Sequence, residues 1–454
     1  MSIKKLFSPL ALPIYVFAAA IFLGAALLGS PISHAGAEIS FLDALFTATS
    51  ATCVTGLAVV DTGSAFSTFG QTAILVLIQL GGLGIMTYAS LFFYLWRRRV
   101  SLTDHIAVGQ SLMQDPSFHL GHFLLRVVAC VVVIEGLGAL ALYLLDPQGF
   151  SPFSAVFHSV SAFCNAGFGL FPDSLMGYRG NVGVNLVVMA LIILGGLGFT
   201  VLVEVYRLGR ERLRPKERLV PRRGLSWYSR TVLFTSAFLI VAGAALLFLG
   251  EMRTGSAGAG KGEALLAAVF QSVTCRTAGF NTLDIGHMGE ASLVVMILLM
   301  FIGGSPGSCA GGIKTTTFRV LAAFGRAQMR GGRQAVVGRM AVDEATLNRA
   351  LTLTIFAFGL VLVSLLVLCF TEGATAAHHL APGRFMDILF EVVSAFGTVG
   401  LSTGLTPNLT PAGKVVVIVL MFVGRLGPIV FLSVLQGFQE RPRYQWPEQA
   451  MLIG

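Results

Sequence analysis

Four short stretches of this 454-residue chain offer the same chemistry: Val54-Thr55-Gly56, Asn165-Ala166-Gly167, Thr277-Ala278-Gly279 and Thr398-Val399-Gly400. None carries an ionisable side chain, so what they present is backbone carbonyl oxygen. A potassium ion stripped of its water needs several oxygens near the hydration distance, and extended backbone can supply them. A helix cannot, because its carbonyls are already bonded. Glycine takes the dihedrals that turn successive carbonyls inward and lets several strands approach one axis. Thr398-Val399-Gly400 is the core of the T-V-G filter motif of potassium channels, and the other three are degenerate copies of it. A single T-V-G is weak, whereas four in register are a strong signal.

Each stretch closes a longer repeated segment: Phe46–Leu57, Phe157–Phe168, Phe270–Phe280 and Phe390–Leu401. The helices leading into them are too short to cross a bilayer: Ser40–Ser50, Ser151–Phe163, Lys261–Thr274 and Arg384–Phe396. Ser40 with Asp43 three residues on, and Ser151-Pro152, read as helix starts. Entering from outside, such helices point their carbonyl ends, which carry partial negative charge, at the centre of the membrane. Apolar runs near the ~20 residues of a span fall at Pro13–Gly29, Ala73–Leu95, Phe123–Leu145, Val184–Val205, Thr231–Leu249, Val294–Gly303 and beyond, Leu351–Phe370 and Val415–Leu435. The first is read as a span and not as a cleaved signal. The expected fold is an all-α membrane protein. Its four tandem repeats (1–97, 98–206, 207–320 and 321–454) would each run outer helix, pore helix, filter, inner helix. That gives eight transmembrane helices and four re-entrant pore helices around one central ion path.

The inner helices repeat a second glycine motif at Gly81, Gly195, Gly303 and Gly424, lying 25, 28, 24 and 24 residues after the filter glycines. In the first two copies close packing explains it. The third is interrupted by Gly303-Gly304-Ser305-Pro306-Gly307-Ser308-Cys309-Ala310-Gly311-Gly312, whose five glycines and one proline cannot form an ordinary helix. Irregular backbone at membrane depth is tolerated only where it is buried in protein or lines a water path, so this loop is the candidate gate. In the fourth copy Arg425 sits inside the helix, where an unpaired charge costs about 2.5–3.5 kcal/mol. It is therefore expected to face the path or find a partner, as an electrostatic barrier beside the loop. Arg276 is expected to brace the third filter, and Glu135 to have a polar partner. Asp61 and Asp284 stay open between mouth charges and partners of Arg276.

With 55% hydrophobic and 12% charged residues, the chain lies far outside soluble composition. Of its 31 Lys and Arg only Arg179, Arg253, Lys261, Arg276, Arg384 and Lys414 fall on the outer side. The rest crowd the loops at Arg97–Arg99, Arg207–Arg230 and Arg319–Arg349, which makes those loops and both termini cytoplasmic in a cell (inner) membrane. The net charge of +9 reflects that bias and not a nucleic-acid partner. Acids outnumber bases on the outer side, which concentrates cations at the mouth. The six cysteines have no paired spacing and read as packing residues. His378-His379 reads as an exposed loop. There is no phosphate-binding G-x-x-x-x-G-K-[ST] loop, no metal-ligand spacing and no Ser/His/Asp set, so the chain is read as a non-enzyme without catalytic residues or covalent cofactor. The only metal expected is K+ at the filter residues.

Ser50–Leu57 with Asp61-Thr62, Arg276–Thr282, Ser394–Gly404, the Gly303–Gly312 loop with Lys314–Thr317, and Arg425 together resemble the Trk/Ktr/HKT superfamily of potassium transporters, most closely its KtrB-type membrane subunit. The resemblance covers almost the whole chain; a first span near residue 10 favours the Ktr type, since Trk-type relatives carry an extra preceding hairpin. It implies a homodimer with one ion path per protomer, seated on a cytosolic KtrA-like ring of nucleotide-binding subunits. Nucleotide (ATP/ADP) would act only through that partner, and Na+ would be an activator. Sodium-admitting plant relatives tend to carry serine at the first filter glycine, so Gly56 favours potassium. The basic loops suit either that ring or anionic lipid. A sodium-selective or sodium-coupled member of the superfamily, and a non-conducting membrane scaffold whose glycines only pack, remain as alternatives.

Overall fold

The computed structural model describes residues 12–36, 38–84, 120–213, 224–254, 260–373 and 383–427. Over these residues the same order of elements occurs four times: an apolar helix, a short helix, an irregular glycine-bearing segment and a further helix. The first set is α1 (Leu12–Leu28), α2 (Phe41–Thr52) and α3 (Thr68–Gly82). The second is α4 (Leu120–Leu145), α5 (Pro152–Phe163) and α6 (Val182–Leu197) with α7 (Phe199–Leu213). The third is α8 (Trp227–Thr254), α9 (Lys261–Thr274) and α10 (Glu290–Phe301), followed after an irregular stretch by α11 (Thr315–Met329). A hairpin, β1 (Val336–Val337) and β2 (Met340–Ala341), leads to the fourth set: α12 (Glu344–Glu372), α13 (Arg384–Gly397) and α14 (Pro411–Leu426).

Local chemistry sets the helix starts. Ser40 accepts the Asp43 N–H at 3.1 Å, and Ser151 accepts that of Ser154 at 3.2 Å with Pro152 at the first helical position. α13 starts after Gly383 in the left-handed region. At α14, Thr410 caps Gly413 while its own N–H and hydroxyl go to Glu372 at the end of α12, at 3.1 and 2.6 Å.

Three helices are long and apolar enough to cross a bilayer among the described residues: Val127–Leu145, Trp227–Met252 and Glu344–Glu372. Ile14–Leu28, Thr68–Gly82 and Glu290–Phe301 are shorter apolar helices. The expected spans Ala73–Leu95 and Val415–Leu435 run past Gly84 and Gly427 into residues outside the description, as do Arg97–Arg99 and His378-His379. One expectation needs correcting. Val184–Val205 is not a single straight span: α6 and α7 meet at 106°, with Gly198 at φ +89° in the corner. The Phe199 N–H, freed by the break, donates to the Gly307 carbonyl at 3.1 Å, so the third set fixes the bend in the second.

Buried side chains fill two apolar bodies, one around Phe157, Phe163 and Phe168 and the other around Met300, Phe390 and Phe396. The outward faces of the long helices stay apolar, with Phe22, Leu144, Val241, Ile355 and Phe370 exposed. Such an apolar surface fits lipid and not water. The chain is a multi-pass membrane protein.

Candidate functional site

The four irregular segments that follow α2, α5, α9 and α13 share one backbone course. Val54, Asn165, Thr277 and Thr398 have φ of 57°, 58°, 73° and 50°, and the glycines two residues later, Gly56, Gly167, Gly279 and Gly400, have 94°, 71°, 80° and 91°. Left-handed φ in residues with a side chain costs on the order of 1–3 kcal/mol each, so the surroundings must impose it. The preceding helix does so. Thr55, Ala166 and Val399 donate their N–H to the carbonyls of Ser50, Ser161 and Ser394 at 2.8, 2.7 and 2.8 Å, and Ala278 donates to Thr274 at 2.9 Å. The Ser50 and Ser394 hydroxyls accept from Gly56 and Gly400, both at 3.1 Å. Those of Ser161 and Thr274 donate to the carbonyls of Phe168 and Phe280 at 2.7 and 2.6 Å.

With the amides tied back to their own helix, the carbonyls are left over. No hydrogen bond among the described residues ends on the carbonyl oxygen of Thr55, Ala166, Ala278 or Val399. These oxygens stand against the glycines of the neighbouring segments. A Cβ on Gly167 would lie 2.8 Å from the Ala278 oxygen, and one on Gly279 2.6 Å from that of Val399. A Cβ on Gly400 would run into the Thr55 oxygen, and one on Gly56 into that of Ala166. The succession 56, 167, 279, 400 and back to 56 closes a ring. The ion pair of Lys414, at the start of α14, with Asp43, at the start of α2, joins the last set to the first at 2.6 Å. An open vestibule of about 400 Å³ adjoins the ring, lined by all four glycines and by Asp61, Thr62 and Ser402.

The loop between α10 and α11 packs against the ring. A Cβ on Gly311 would strike the Thr398 side chain, and one on Gly312 would lie 3.3 Å from Gly397. The loop folds on itself through Gly303 N–H to Ile313, 2.8 Å, and Thr315 N–H to Gly304, 3.0 Å. Ser305 and Cys309 donate to the carbonyls of Gly196 and Gly195 at the end of α6, at 3.1 and 3.3 Å. Three cations reach its carbonyls: Arg425 to Cys309, Lys314 to Ala310 at 2.5 Å and Arg276 to Gly303 at 3.4 Å. Arg425 also donates to Gly81 and Gly82 at the end of α3. The paired glycines of α3 and α6 therefore do more than permit close packing, since their helix-end carbonyls accept from the loop and its arginine.

The family profile described as TrkH, cation transport protein, matches residues 18–437. The chain belongs to the TrkH family of cation transport proteins. It is 41% identical to the Ktr system potassium uptake protein B of Bacillus subtilis (strain 168), over 91% of this chain and 89% of that one. It is 37% identical to the potassium/sodium uptake protein NtpJ of Enterococcus hirae, over 100% and 98%. The crystal structure of the potassium transporter TrkH from Vibrio parahaemolyticus superposes with a TM-score of 0.72 over 97% of this chain and 88% of that one; at 20% identity this speaks for the fold alone.

In this TrkH-family chain the structure brings together all twelve residues of the four T-V-G-like stretches, and separately Gly303–Gly312 with Arg425. Arg276 is buried behind the third segment, and its hydrogen-bond partners are the carbonyls of Ser236 and Gly303. Neither Asp61 nor Asp284 is bonded to it. Asp61 caps the turn at Ser64 from the vestibule wall, and Asp284 holds Gly286 and His287. Glu135 meets Gln79 at 3.2 Å and Cys164 at 3.7 Å. Sequence reasoning counts Glu391 only among the acids of the outer side; it is fully buried in α13, and its carboxylate accepts from Ser402 and Thr406 and so shapes the outer end of the fourth segment. The available signal was an acid in the apolar second half of that helix, a turn beyond Asp387.

Proposed function

We propose that this chain is the pore-forming subunit of a potassium uptake system, with Val54–Gly56, Asn165–Gly167, Thr277–Gly279 and Thr398–Gly400 as a fourfold pseudosymmetric carbonyl filter. The observation that carries this reading is the closed circuit of glycines against unbonded carbonyls, which fits a dehydrated monovalent cation and leaves no room for side chains. On this reading the repeats at 1–97, 98–206, 207–320 and 321–454 contribute eight spans and four re-entrant helices, with potassium moving inward along the membrane potential. The loop Gly303–Gly312 is the barrier beneath the filter, and Arg425 locks it through the Cys309 carbonyl while adding a positive charge to the ion path. Charge repels a cation most strongly where water is excluded and the effective dielectric falls.

The names of the relatives support the substrate and, through the word "system", further components. A homodimer on a cytosolic nucleotide-binding ring, in a cell inner membrane with cytoplasmic termini, fits that reading. The exposed basic residues Arg330, Arg333 and Arg339 suit docking of such a ring or of anionic lipid. A second reading, in which sodium is carried or activates, draws on the full-length likeness to a potassium/sodium uptake protein.

Rubidium uptake into liposomes holding the purified chain tests both. Potassium should compete strongly and sodium weakly. Gly56→Ser, which sets a side chain against the Ala166 carbonyl, should let sodium compete. Absence of any cation flux would favour the scaffold alternative, and selectivity untouched by Gly56→Ser would remove the ring from the filter role.

A further inference from the structure

The first turn of α8 carries two adjacent aromatic donors that point to different places. The Trp227 indole N–H donates to the Val337 carbonyl of the β1–β2 hairpin at 2.8 Å. The Tyr228 hydroxyl donates to the Pro306 carbonyl at the tip of the intramembrane loop at 3.0 Å. Proline has no N–H, so this carbonyl is the residue's one backbone hydrogen-bonding group. The next carbonyl, Gly307, is taken by Phe199 at the start of α7. The two helix starts are themselves tied together. Glu204 of α7 accepts from the Ser226 N–H at 2.7 Å and its hydroxyl at 2.8 Å, and from the Ser229 hydroxyl.

We propose that Trp227 and Tyr228 form a coupling that transmits displacement of the cytoplasmic hairpin Val336–Ala341 to the loop tip at Pro306. This rests on the reading of Gly303–Gly312 as the barrier, and it adds a route by which the cytoplasmic side reaches that barrier. Adjacent residues on a helix project about 100° apart, so one turn can grip both structures only if it stays rigid, which the Glu204 anchor provides. The hairpin is suited to be the moving end. It has two residues per strand, its turn is set by Gly338 at φ +67°, and Val336, Arg339 and Met340 are exposed. Tyr228 is thus a positioning residue: it touches the barrier and not the ion.

The test is a double-mutant cycle on the full chain, read by rubidium flux in liposomes and by amide hydrogen exchange over residues 303–314. Tyr228→Phe removes one hydrogen bond and keeps the ring. Gly338→Val opposes the left-handed turn of the hairpin, and Trp227→Phe cuts the link from the other side. Each should raise loop exchange and basal flux about two- to tenfold, the worth of one hydrogen bond, with potassium selectivity and melting unchanged. Combining Tyr228→Phe with either of the others should add nothing further. Multiplying effects in the combined variants would overturn the coupling. So would loop exchange that stays at the wild-type level in both Gly338→Val and Trp227→Phe. A wild-type chain with no flux would sink the potassium reading, while the exchange arm still tests the link.

Discussion

In the glycine ring every segment is fixed by the helix just before it, through bonds spanning four to seven residues such as Thr55 to Ser50 and Gly400 to Ser394. In the loop at Gly303–Gly312 many of the anchors arrive from elsewhere in the chain: Arg425, Gly195, Gly196, Phe199, Tyr228 and Arg276. Both are irregular backbone walled in by apolar helices. They differ in what must move for them to change. The ring can deform only by breaking its own short-range bonds, whereas the loop changes whenever one of several other elements shifts. Local anchoring suits a part that must keep its dimensions, and remote anchoring suits a part that must respond.

The largest effect should come from the ring. Gly167→Ala places a Cβ 2.8 Å from both the Ala278 oxygen and the Gly279 Cα, at a φ of 71° that alanine resists. Because neighbouring segments cannot yield independently, at least about a tenfold loss of potassium-over-sodium preference is expected, measured as rubidium flux under sodium competition. Retained selectivity would mean the ring is softer than its bonding implies.

Arg425 should have the next effect, of a different kind. Arg425→Ala should raise basal flux with selectivity intact, and Arg425→Lys should fall between, since lysine keeps the charge but loses the planar fork that spans Cys309 and Gly81. Melting measured on the same preparation separates this from a structural role. A lowered Tm with unchanged flux would make Arg425 a structural tie and remove it from the barrier.

The smallest effect tests whether remote bonds matter outside the site. Asp146, after α4, accepts from the Gly149 N–H at 3.1 Å and then from Tyr178 at 2.8 Å, which holds its carboxyl below the usual value of 3.8. Burial, and then this acid, push the Tyr178 hydroxyl up to about 12. A depressed acid stabilises above its unfolded pKa and loses that contribution as pH falls through the folded value. Asp146→Asn should therefore lower Tm at pH 7 by no more than about 2 °C, and the difference should begin to shrink only below about pH 4 and vanish once the pH has fallen through the folded value. A gap that persists in acid would assign the effect to packing.

Much of this was legible because it is periodic or local. The T-V-G-like stretches, the short helices before them and the caps at Ser40 and Ser151 all lie within a dozen residues of their partners, so spacing alone reveals them. The break at Gly198 was not legible, because an apolar run reads the same whether or not a loop from another part of the chain takes the N–H of Phe199. Lys414 with Asp43, and Glu372 with Thr410, pair across 371 and 38 residues, and nothing in their neighbourhoods names the partner. The hairpin at Val336–Ala341 was hidden for a different reason. Two residues per strand carry too little alternation to stand out from a basic stretch.

The four ring segments belong to one polypeptide and are not identical. In an assembly of four equal chains, one codon change would alter four positions at once. Here it alters one quarter of the circle. Asn165 can stand where the other segments have Val or Thr, and the glycine-rich stretch Gly303–Gly312 can sit under one quarter of the circle. On the proposed filter reading, the step by which such a site can be retuned is correspondingly small, and a carrier built this way can drift in ion preference by degrees.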